Sequence, residues 1–147
     1  MITAVELKTA CNQIAGSCCP GFKIYGTSAV EQLKKPCIFT ELLFFGLRYE
    51  SKNWAKNSAG YKMTFLQQAP DEREQLQQIE KVREAFGLKL AVKDRKISVD
   101  SFDIDYAGEY RDLLQITVKL HWYENMYVPE TGDFMENIEV QTVQEGE

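Results

Sequence analysis

The sequence predicts an α+β domain, a mostly antiparallel sheet with two main helices packed on one face. Three observations carry that expectation. Stretches 37–49, 60–68 and 114–127 alternate with the period of two that marks strands. Stretches 4–16 and 70–86 carry helical spacing together with start and stop signals. The order is helix, short strand, two long strands, then helix, short strand, two long strands. That order sets long strands next to each other in sequence, where antiparallel hairpins need them.

Taking the elements in turn, Thr3 suits a helix N-cap and Glu6, three residues on, completes a capping box. Ala4, Leu7, Cys11 and Ile14 then recur at helical spacing until Gly16. Pro20 and Gly21 make a turn, 22–25 is a short strand, and 28–35 is a weak helical turn or loop closed by Pro36. In the stretch 37–49, Ile38, Leu42 and Phe44 fall on one face, while Phe39, Leu43, Phe45 and Leu47 fall on the other. A strand apolar on both sides must be covered on both. Helices cover one face, so the other needs more of the chain or another protein. The connector 51–59 is polar and longer than a tight turn, so its tip, holding Trp54, is expected to project and be mobile. Beyond it Tyr61, Met63 and Phe65 alternate with Lys62, Thr64 and Gln68, with Leu66 breaking the polar side.

The second helix is the clearest element. Pro70 suits its first turn, and Asp71, Glu72 and Glu74 suit its positive end. Leu76, Ile79, Val82, Arg83 and Phe86 form the expected inward stripe, with Gln75, Gln78, Glu80 and Lys81 outside and Gly87 as the stop. A short strand at 88–92 and a turn at Asp94 lead into Ile97 and Val99. The apolar phase then switches to Phe102, Ile104 and Tyr106, which predicts a bulge or break. After a turn around Gly108, Leu114, Ile116, Val118, Leu120 and Trp122 alternate against Gln115, Thr117, Lys119, His121 and Tyr123. Residues 1–128 read as one domain and 129–147 as an acidic C-terminal extension, a tail able to add a strand to a partner.

Composition narrows the function classes. The chain has 147 residues, enough for one core without staples, and a formal net charge of −5. That balance argues against a primary nucleic-acid binder, which needs a basic footprint. No apolar run approaches the roughly 20 residues of a membrane span. The N-terminus lacks the pattern of a signal peptide, so the cytoplasm is expected. The four cysteines, Cys11, Cys18, Cys19 and Cys37, show no zinc spacing and read as reduced thiols.

Catalytic equipment is not visible. His121 is the single histidine, and a catalytic base needs an oriented carboxylate and a nucleophile beside it, which no motif promises. The run Asp100, Asp103 and Asp105 offers oxygens of the kind a hard cation takes, but Asp103 and Asp105 alternate with Phe102, Ile104 and Tyr106 as on a strand's wet face. Phosphate-loop, dinucleotide and serine-elbow motifs are absent. No catalytic residue, metal site or cofactor is expected.

Several segments in order resemble the phage tail terminators, the tail-completion ring proteins of phages, prophages and phage-tail-like particles. They are 22–25 with 34–39, Arg48 and Tyr49, 61–65, the helix 76–86, 90–99, and 114–120. The basic-basic-proline opening at Lys34, Lys35 and Pro36 and the Asp94–Arg95 turn are the most distinctive, and the likeness spans roughly 3–127. The chain departs from the family in its longer connector 51–59 and its acidic extension. The resemblance implies a non-enzymatic ring, six copies, that caps the head-proximal end of the tail tube, stops its polymerisation and docks the neck or collar. Implied partners are other copies, the tail tube protein, and sheath and neck or collar proteins. DNA passes through the lumen without specific binding, and assembly takes place in the bacterial host cytoplasm. Another neck or head–tail joining component of similar fold is the alternative, and a small enzyme using His121 and Lys119 a remote one. A closed ring needs two different adhesive patches per subunit. Phe39, Leu43 and Phe45 are the first candidate, Arg48 and Trp54 the second, Tyr123 and Tyr127 the third.

Overall fold

The computed structural model describes residues 1–26 and 33–126, without the side chain of Phe45. Tyr127 and the acidic extension lie outside the described residues, as does most of the turn expected at 28–35. Eight elements follow in the expected order: α1 (Ala4–Cys18), β1 (Lys23–Tyr25), β2 (Cys37–Tyr49), β3 (Trp54–Leu66), α2 (Glu72–Phe86), β4 (Lys89–Val92), β5 (Arg95–Ala107) and β6 (Leu113–Asn125). The strands form one sheet in the order β1-β2-β3-β6-β5-β4. Only β1 against β2 is parallel, so the α+β expectation holds.

Local chemistry sets the helices. Thr3 Oγ1 accepts from Glu6 N at 3.2 Å and Glu6 Oε1 from Thr3 N at 3.0 Å, closing the capping box. Leu7, Cys11 and Ala15 are the buried stripe of α1. Asp71 caps α2 through Arg73 N, and Gly87 ends it. Both helices lie on the same side of the sheet, as Tyr61 shows. Its hydroxyl is 2.5 Å from Asn12 Oδ1 on α1, and its ring centroid is 6.1 Å from that of Phe86 on α2.

The inward face of α2 differs from the expected one. Gln75, Gln78, Val82 and Phe86 are buried, whereas Leu76 and Arg83 are exposed. Gln75 fixes this rotation, donating to Gln67 Oε1 at 3.0 Å and to the Asp112 carbonyl at 2.8 Å. Those bonds tie α2 to the exit of β3 and to the β5–β6 turn. Gln78 follows into the interior, where neither of its amide atoms has a partner among the described residues. An unpaired buried polar group of this kind costs about 1–3 kcal/mol.

The long connector is not a loop. Strand β3 starts at Trp54, with Tyr49 opposite Ala55 and Arg48 opposite Lys56, so the turn shrinks to residues 50–53. The backbone N–H groups of Glu50 and Ser51 both donate to the Trp54 carbonyl and close it. Residues 55–59 look polar, but Ala55 and Ala59 are fully buried and the Asn57 amide donates to Glu124 Oε1. Two long strands, β2 and β6, need a third between them to satisfy their backbone groups.

Two bulges set which side chains share a face. The expected one lies in β5 between Val99 and Ser101. It keeps Val99, Phe102, Ile104 and Tyr106 on the helix side, opposite Leu120, Val118, Ile116 and Leu114. An unexpected one lies in β2 between Phe44 and Gly46, where Gly46 adopts φ +144°. Leu47 and Tyr49 thereby pair with Asn57 and Ala55 and join Leu42 and Phe44 on the helix side. The expected grouping of Leu47 with Phe39 and Leu43 is wrong for that reason, since one extra residue reverses every later side chain.

Candidate interaction surface

Strand β1 pairs only with Cys37, Ile38 and Phe39, so among the described residues no strand lies on the outer side of residues 40–49 of β2. Lys8 Nζ donates to the Thr40 carbonyl at 3.2 Å, a side chain standing in for a missing strand. Along this edge Leu43, Phe44, Leu47 and Tyr49 are between 38% and 62% exposed. A groove of about 660 Å³ separates the edge from α1, lined by Val5, Lys8 and Thr9 on one wall and Leu42, Leu43 and Phe44 on the other. Exposed apolar surface on an unpaired strand is a template for association.

The sequence-predicted residues distribute unevenly around it. Leu43 lies on the edge and Phe39 is half-buried near its start. Arg48 is exposed and ion-paired to Glu50 at 2.9 Å. Arg48, Lys56 and Tyr123 stand opposite one another in a row across β2, β3 and β6. Trp54 and Tyr123 share a shallow depression with Met1, Arg95 and Glu124. Trp54 is therefore the first residue of a paired strand, opposite Asn125, and not the tip of a projecting loop. The structure thus separates a Trp54–Tyr123 patch from the β2 edge. Phe44, Tyr49 and Val5 were missed as surface residues, and only the Gly46 interruption hinted that the strand changes phase there.

The sheet face away from the helices carries paired polar groups. Lys119 Nζ lies 2.9 Å from Asp103 Oδ2, His121 Nδ1 lies 2.5 Å from Asp100 Oδ1, and Arg111 Nη2 lies 4.0 Å from Asp105 Oδ1. Each of the three aspartates thus has a basic partner, and among the described residues no group of three metal-ligating side chains forms. The β5 bulge supplies His121 with the carboxylate that sequence reasoning did not find. Ser58 and Ser98 stand opposite His121 on the neighbouring strands, but neither hydroxyl hydrogen-bonds the ring among the described contacts. The ring instead meets Tyr123 edge-on at 5.7 Å.

All four cysteines are free thiols. Burial pushes Cys11 up to about 12 and raises Cys37 as well. Cys18 and Cys19 lie with their sulfurs 3.6 Å apart, and that hydrogen bond lowers the Cys18 thiol while raising Cys19. Timed alkylation at pH 8 is therefore expected to modify Cys18 first, with Cys11 and Cys37 reacting only on unfolding. Mass spectrometry reads the order, and equal rates for Cys11 and Cys18 in the folded chain would contradict it.

A small α+β subunit that exposes Leu43, Phe44, Leu47 and Tyr49 along one sheet edge has the profile of an assembly component. The family model described as "Phage tail terminator protein" matches residues 6–132, and the chain belongs to that family, as a structural part of the phage tail. No curated protein matches it. One solved structure is similar at 9% identity with a TM-score of 0.50, covering 88% of this chain and 100% of its own. At that identity the two share a fold and nothing further is carried over.

Proposed function

We propose that the chain closes into a homo-oligomeric ring, a hexamer, on the head-proximal end of the tail tube, stops tube polymerisation and docks the neck or collar. The observation that supports it is the apolar, unpaired edge of β2, which no part of the described chain covers. A head-to-tail interface that closes on itself gives a ring of defined size, and an interface of ordinary size buries on the order of 1,600 Å². The acidic balance suits a part whose contacts are with protein, while DNA passes the lumen without sequence readout.

Two measurements test this reading. Native mass spectrometry of the purified chain, alone and with tube protein, is expected to give a six-subunit species. Removing the gene from a producing strain is expected to give tubes of uncontrolled length in electron micrographs. Tails of normal length after removal would end the proposal.

A further inference from the structure

The sheet has a second unpaired edge. Strand β4 pairs with β5 only from Arg95 to Ser98, so residues 101–107 of β5 have no outer neighbour among the described residues. There the Tyr106 N–H is turned onto the Asp105 carboxylate at 2.8 Å, as Thr40 O is turned onto Lys8 at the other edge. Both edges therefore carry backbone groups satisfied by side chains in place of a strand. Their helix-side residues are also left open in the same way, with Phe44 and Leu47 on β2 and Ile104 on β5 exposed.

Direction decides how two copies can meet. The antiparallel ladders make β2 and β6 run one way and β3 and β5 the other. Rotation about a ring axis preserves each strand's sense along that axis, so β2 of one copy meets β5 of the next antiparallel. That is the sense of every long pair within the subunit. A β5 strand laid against β2 points Ile104 to the helix side, where the groove between α1 and β2 is apolar through Val5, Leu42 and Phe44. Among the described residues nothing fills this groove, and the subunit itself carries a strand of the fitting sense on its opposite edge.

We infer that the occupant of the β2 edge is the β5 edge of a second copy, so that adjoining subunits share one continuous antiparallel sheet. This rests on the ring reading and assigns its two adhesive patches to the two sheet edges. It moves the main contact away from Phe39 and towards Phe44 and Leu47.

Complementation by two edge variants tests it. One variant carries Phe44→Asp with Leu47→Asp, and the other carries Ile104→Asp. Wild type is expected at ring mass in native mass spectrometry, and each variant alone as a monomer of about 16.9 kDa. An equimolar mixture is expected to give a two-subunit species and no ring, because one competent edge of each kind remains. As a check independent of charged substitutions, Leu47→Cys with Ile104→Cys in a chain also carrying Cys18→Ser is expected to give a ladder of multimers with a bifunctional thiol reagent, and either introduced cysteine alone in that background none. If both edge variants keep ring mass, this inference falls and the ring reading stands. If Ile104→Asp alone still forms dimers through its intact β2 edge, the pairing is two-fold and the inference also falls. A monomeric wild type in the presence of tube protein overturns both.

Discussion

Phe86→Ala is expected to destabilise the folded chain by about 3–5 kcal/mol, the usual range for removing a buried aromatic ring. Phe86 is the last residue of α2 and 1% exposed, with ring centroids 6.1 Å from Tyr61 on β3 and 6.4 Å from Phe102 on β5. It joins one helix to two strands that are themselves separated by β6. Its removal leaves a cavity that the rigid sheet cannot close, so the transfer term and the cavity term add. For a domain of this size the loss corresponds to a fall in Tm on the order of 10 °C. Thermal unfolding followed by circular dichroism measures it, with Phe86→Leu expected to fall between the two. A change of less than about 1 kcal/mol would show that the ring is not held as described.

Glu124→Ala is expected to cost about 1–3 kcal/mol, the usual range for leaving a buried hydrogen-bond donor without its acceptor. The Glu124 carboxylate, 5% exposed, accepts from Ile2 N at 2.6 Å and Asn57 Nδ2 at 3.4 Å, and lies 3.4 Å from Arg95. It therefore fixes the chain just before α1 to the end of the sheet. Alanine leaves the Ile2 N–H and the Asn57 amide without an acceptor. Arg95 is about a third exposed and its ion pair accounts for less of the loss, because water screens it. Glu124→Gln retains an acceptor and is expected to recover roughly half of the effect. Urea unfolding of the three proteins gives the comparison, and an alanine variant as stable as wild type would sink the assignment. Since Val5 on α1 walls the groove beside β2, loss of this anchor is also expected to weaken the proposed ring assembly.

Where the chain's periodicity was simple, the sequence alone was a sufficient guide. Thr3 with Glu6 marked the start of α1 and the phase switch at Phe102 marked the β5 bulge, whereas α2 begins at Glu72 with Asp71 as its cap and leaves Pro70, expected in its first turn, outside. Errors arose where a residue's type and its position disagree. Residues 55–59 are small and polar yet lie in a central strand, because β2 and β6 both need a partner there. Gln75 and Gln78 look like solvent residues and are buried, because Gln75 bonds groups far away in sequence at Gln67 and Asp112.

The candidate surface was legible only in part. Trp54, Tyr123, Leu43 and Leu47 were expected on surfaces needing cover and are exposed, but Phe44 and Tyr49 were not expected there. A bulge at Gly46 reverses the alternation that sequence reasoning relied on, and nothing local reveals on which side the extra residue sits. What the amino acids settled by themselves was the kind and order of the elements. Which strand edges stay open, and which apolar side chains face them, was decided by the tertiary structure. Strand order and register depend on pairings between residues distant in the chain, and no local pattern of residue types records them.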